Sequence, residues 1–206
     1  MNFMQLRERQ PKFPVTVKTG EGVVELIWNK IEYADGYRVL ASPVGKNHFV
    51  GVINVKGTTA VMKKRANGVP MQYKVKAFRI ADGPDNFFGE SEIVIACPLE
   101  TPRRLTAIVG SDGICTLSWR YNSQCDGFKI YADSNESGKY SFVCYSGKNS
   151  CRLDSFTKSG KVSFVVRSFI MTGHMEKLGV SSAPAEAVLP KSKGAKAVQF
   201  DLSLIH

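Results

Sequence analysis

Hydrophobic and polar positions alternate with a period of two along most of this chain. VVELIW places Val24, Leu26 and Trp28 on one face with Glu25 opposite. YKVKAF sets Tyr73, Val75 and Ala77 against Lys74 and Lys76, and VSFVVRSF sets Val162, Phe164 and Val166 against Ser163 and Arg167. Successive side chains of a strand point to opposite faces, so the alternation predicts strands with one buried and one wet side. No helical stripe of useful length appears. Gly, Asp and Asn punctuate the strands at the short, regular spacing of an all-β sandwich.

The pattern is written twice. A displacement of 91 residues brings Pro11 onto Pro102, Gly22 onto Gly113, Leu26 onto Leu117 and Trp28 onto Trp119. The same displacement pairs Asp35–Gly36 with Asp126–Gly127, Tyr37 with Phe128, Tyr73 with Phe164, and Ser91 with Ser182. An internal repeat of this length divides the chain into two domains, expected at 11–98 and 102–190, with a tail at 191–206. ACPLETP, residues 96–102, joins them and is too short to be a flexible tether. The Asp-Gly pairs read as turns: Asp bonds its own backbone, and Gly takes angles that other residues avoid. Each turn launches a strand whose inward residues pack near the tryptophan. Trp28, Tyr37, Tyr73, Trp119, Phe128 and Phe164 are the expected core aromatics.

These residues carry a family resemblance. WNKIEYADGYRVLAS, VKGTTAVM and QYKVKAF resemble the tandem fibronectin type III modules common in Gram-positive bacterial proteins. The resemblance implies two seven-stranded, immunoglobulin-like sandwiches with no catalytic residues and no cofactor. It also implies a corner hydrogen bond from the Tyr73 hydroxyl, which Phe164 cannot make. No Arg-Gly-Asp tripeptide is present, nor a Trp-Ser-x-Trp-Ser box. LPKSK, residues 189–193, lacks the rest of a sortase signal.

Composition narrows the function classes. The net charge of +10 invites a nucleic-acid reading, but the excess is spread over small clusters such as Lys63, Lys64 and Arg65. A dedicated nucleic-acid face combines a basic stripe with stacking aromatics or a recognisable helix, and neither is visible in the sequence. The expectation is a mildly basic solvated surface, with a basic nucleic-acid-binding protein as the alternative. No apolar run approaches the roughly 20 residues that span a bilayer, so no membrane insertion is expected. MNFMQLRERQPKF lacks the apolar stretch of a secretory signal, so the chain is expected to be cytoplasmic or assembled into a particle unless a leader has been removed.

Candidate chemistry is sparse. The five cysteines form no C-x-x-C pair, so a zinc knuckle is not expected. Cys115 shares strand parity with Leu117 and Trp119 and reads as a core residue. A Cys144–Cys151 bridge is conceivable, but spacing alone cannot place it. The three histidines are scattered, and none sits in a nucleophile motif. Asp82, Asp85 and Glu90 gather in one stretch, at spacings that match no calcium loop.

Binding surfaces remain. In IADGPDNFFGE, residues 80–90, Phe87 and Phe88 read as paired aromatics in a polar loop. They are placed either to anchor a protein partner or glycan or to tuck back over the sandwich. The matching stretch at 170–180 offers Met171, His174, Met175 and Leu178. In the tail, Val198, Phe200, Leu202 and Leu204 alternate with Gln199, Asp201 and Ser203. Such a strand wants a sheet edge, on its own domains or on another subunit. The function expected is therefore a non-enzymatic binding or assembly module. Its setting is a bacterial surface or a phage-like particle, and its contacts are with protein or glycan.

Overall fold

In a computed structural model, residues 12–82, 86–154 and 159–190 are described. The tail residues Val198, Phe200, Leu202 and Leu204, and Asp85, lie outside them. Among the described residues the regular structure is all strand apart from one 3-10 turn at Ile80–Asp82. Among the described residues no helix is long and apolar enough to cross a membrane.

In the first repeat, β2 (Val15–Gly20), β3 (Val23–Trp28) and β6 (Thr59–Met62) form one sheet in the order β2-β3-β6. The other sheet runs β1-β8-β7-β4-β5, from β1 (Lys12–Phe13), β8 (Phe87–Ser91), β7 (Met71–Phe78), β4 (Gly36–Pro43) and β5 (Val50–Val55). A short β9 (Val94–Ala96) also pairs with β7, so β8 and β9 are two halves of one split strand. One core joins the sheets: Val24, Leu26 and Trp28 meet Tyr37, Val39, Tyr73 and Val75 in a single buried cluster.

The second repeat is built alike. β10 (Arg103–Val109), β11 (Cys115–Arg120) and β14 (Ser150–Leu153) form the smaller sheet. The larger runs β13-β12-β15-β16, from β13 (Ser141–Ser146), β12 (Gly127–Asp133), β15 (Gly160–Thr172) and β16 (Met175–Leu178). β17 (Ala185–Leu189) pairs with the start of β15. With each split strand counted once and the two-residue β1 set aside, both repeats are seven-stranded sandwiches of the immunoglobulin-like class. Packing groups the described residues up to Glu100 with Asn122–Cys125 and Phe169–Val180 as one compact unit, and the remainder as a second.

The repeat extends to individual bonds. Trp28 N–H donates to Thr58 O and Trp119 N–H to Asn149 O, both at 3.0 Å and both 91 residues apart in register. Trp28 stacks edge-on against Tyr37 at 5.2 Å, and Trp119 against Phe128 at 5.1 Å. Where β7 changes partner from β8 to β9, Val75 N–H donates to Ser91 Oγ at 2.9 Å. The equivalent Val166 N–H donates to Ser182 Oγ at 3.0 Å. Both serines are buried, so each hydroxyl satisfies an amide that the split strand leaves behind.

The Asp-Gly reading needs correction in the first repeat. Asp35 does not bond its own turn: its carboxylate accepts from Ile80 N–H at 2.9 Å, and its amide donates to Phe78 O. Gly36 is not among the residues with positive φ. A Cβ there would lie 2.6 Å from the Phe78 ring and 3.1 Å from Val55 O, so glycine is needed for space. The pair clamps β4 to the end of β7.

Tyr73 is buried, which pushes its phenol pKa up, and the Arg65 guanidinium partly offsets the rise. Tyr37 grips backbone directly: its hydroxyl accepts Ile31 N–H at 2.8 Å. Its counterpart Phe128 has no hydroxyl, and Tyr121 packs edge-on against it at 5.1 Å.

Candidate binding surfaces

Phe87 and Phe88 lie on strand β8, not in a loop, and both are half-buried. A bulge separates them: Phe87 pairs with Phe78 and Gly89 with Ala77, and the extra residue Phe88 packs against the core. Arg38 and Lys76 stand over the Phe87 ring at 5.2 and 5.1 Å from its centroid. Lys74 covers Phe49 at 4.5 Å, and Arg79 covers Phe88 and Tyr33 at 5.1 Å each. The sheet thus interleaves basic and aromatic side chains that the sequence keeps far apart. Glu90 sits among them, 3.1 Å from both Lys74 Nζ and Lys76 Nζ. Burial pushes its carboxyl up, but the two lysine hydrogen bonds outweigh that and hold it below the usual carboxylate value. Within the cluster Lys63, Lys64 and Arg65, Arg65 Nε donates to Lys63 O at 3.3 Å.

The stretch at 170–180 is a hairpin, not a long loop. Thr172 pairs with Met175 across a turn at Gly173–His174, and Met171 and Met175 are exposed.

A further surface, absent from the sequence reading, lies on the second repeat. Phe142 and Tyr145 are three apart on β13, which would put them on opposite faces of a regular strand. A bulge intervenes. Lys129 pairs with Tyr145 and Tyr131 with Phe142, leaving Val143 as an extra residue. Both rings then face outward beside Lys129 and Tyr131. Phe142 meets Tyr145 at 4.9 Å and Tyr131 at 5.9 Å, edge-on in each case. Lys129 Nζ lies 5.0 Å from the Tyr145 centroid and 5.6 Å from that of Phe142. Phe142 remains 48% and Tyr145 46% exposed, so these rings do not complete the sandwich core.

The bulge recurs in the first repeat, where Val39 pairs with Ile53 and Leu40 with Gly51. There the positions of Tyr131, Phe142 and Tyr145 hold Leu40, Gly51 and Asn54, and Arg38 Nε simply donates to Asn54 Oδ1 at 3.0 Å. One scaffold position therefore carries aromatics in one copy and none in the other. The fold does not require them.

β12 ends at another local device. Asp133 accepts hydrogen bonds from Asn135 N–H at 3.0 Å, Ser137 Oγ at 3.2 Å and Gly138 N–H at 2.6 Å. The bond from Asn135 leads in holding its carboxyl below the usual range. No group of three or more potential metal-binding side chains occurs among the described residues.

No protein-family model matches the chain. No curated protein sequence matches it either. Among solved structures it is similar to a two-domain fibronectin type III segment of chicken tenascin, at 16% identity and a TM-score of 0.47, over 88% of this chain and 99% of that one. It is also similar to the FN1–FN3 domains of chicken CNTN1, at 19% identity and a TM-score of 0.38, over 87% of this chain and 66% of that one. At those values neither likeness bears on partners or chemistry.

Proposed function

We propose that the chain is a non-enzymatic assembly module. Two fibronectin type III-like sandwiches, at 11–98 and 102–190, present protein-binding surfaces, and the tail 191–206 supplies a docking strand. The supporting observation is the exposed cluster of Tyr131, Phe142 and Tyr145 around Lys129, whose equivalent positions in the first repeat hold no aromatic. Aromatic side chains bury large area at little entropic cost and are enriched where proteins meet. The partner proposed first is a second copy of the chain, in a particle-like or surface assembly. Phe142→Ser with Tyr145→Ser tests it by sedimentation over a concentration series. The full chain should self-associate, and the double variant should associate at least tenfold more weakly with unchanged circular dichroism. Equal association by both would remove the aromatic cluster from the account.

A second reading, nucleic-acid binding, draws support from the basic and aromatic interleaving of Arg38, Lys74, Lys76, Phe49 and Phe87. It predicts affinity for a single-stranded oligonucleotide that falls steeply with salt and weakens when Lys63, Lys64 and Arg65 are neutralised. No binding at low salt would dismiss it.

A further inference from the structure

β13 and β14 belong to different sheets of the second sandwich, yet a short turn joins them and brings two thiols together. Cys144 Sγ and Cys151 Sγ are 3.3 Å apart, and both residues are partly exposed. The turn between them is tied by one side chain. Ser146 Oγ lies 2.7 Å from Ser150 O and 2.9 Å from Lys148 O, and Lys148 N–H points at the same hydroxyl at 3.1 Å. Cys144 faces Ile130 on β12 of the larger sheet, and Cys151 faces Leu117 on β11 of the smaller. None of the five cysteines is in a disulfide in this structure.

We infer that Cys144 and Cys151 form a redox-responsive dithiol, one that closes to a disulfide joining the two sheets of the second sandwich when a small-molecule disulfide such as oxidised glutathione is supplied. The pair is held at contact distance before any oxidant arrives, so closure needs little backbone movement. The hydrogen bond from the Cys144 thiol favours a thiolate at Cys151, lowering its pKa and pushing that of Cys144 up. Cys151 is accordingly the attacking sulfur. Its thiolate attacks one sulfur of oxidised glutathione, forming a mixed disulfide and expelling one glutathione thiolate. Cys144, losing its proton to solvent, attacks Cys151 Sγ and expels the second. Two protein thiols are oxidised, one glutathione disulfide is reduced, and both protons end on glutathione.

Cys115 is the competitor within the same sandwich. It is fully buried on β11, and burial pushes its thiol pKa up, so it should react last.

The test is mass mapping of the full chain after equilibration with oxidised glutathione, alkylation and tryptic digestion. Cleavage after Lys139, Lys148 and Arg152 places Cys144 in peptide 140–148 and Cys151 in peptide 149–152, with no other cysteine in either. The result expected is those two peptides joined by a disulfide, with Cys115 alkylated. Cys144→Ser should leave Cys151 as a glutathione adduct, and Cys115→Ser should leave the link intact. Full alkylation of Cys144 and Cys151 would overturn the inference. So would a stable glutathione adduct on wild-type Cys151, or a link from Cys151 to Cys115.

Discussion

At the residue scale, the serines at the split strands are where a single atom matters most. Ser91 is 3% and Ser182 6% exposed, and each hydroxyl accepts an amide that no strand reaches. Ser91→Ala or Ser182→Ala strands a buried N–H, at a cost of about 1–3 kcal/mol in chemical denaturation. Costs below a few tenths would mean that water replaces the hydroxyl. Tyr37→Phe should cost roughly 0.5–1.5 kcal/mol through the lost Ile31 bond. Ser91 and Ser182 were legible as repeat partners because register survives the whole span. Their role was not, since it depends on where a strand breaks. The Gly36 requirement was hidden for a similar reason: the colliding Phe78 ring is 42 residues away in sequence.

At the element scale, the period-two reading identified core strands well, because a face buried against another sheet must alternate. It was silent at β13, where one extra residue reverses parity and gathers Phe142 and Tyr145 on one side. Bulges leave no mark on composition, and the aromatic cluster went unseen. The opposite error befell Phe87 and Phe88: the polar residues before them read as a loop that continued, whereas pairing with β7 already begins at Phe87. Acid should expose two other devices. Glu90 and Asp133 have folded-state pKa values below their usual ones. Their contribution is therefore present above the unfolded value of about 4 and is lost as pH falls through the folded value. Thermal midpoints should drop progressively below that pH, and Asp133→Asn should flatten part of the decline. A variant profile parallel to wild type would show that the Asp133 loop contributes nothing to it.

At the scale of the whole molecule, one sandwich plan is used twice, and the two copies diverge on their surfaces. The tryptophans, the split strand and the bulge recur at 91 residues; the aromatic cluster does not. Divergence at exposed positions over a repeated core is what a surface specialised for contact requires. The docking role proposed for the tail residues Val198, Phe200, Leu202 and Leu204 would add a second contact. The measurement that tests the assembly claim most directly is solution mass by sedimentation, for the full chain and for a chain ending at Pro190. The full chain should exceed monomer mass as concentration rises, and the shortened chain should associate more weakly. Monomers in both cases, at every concentration, would contradict it.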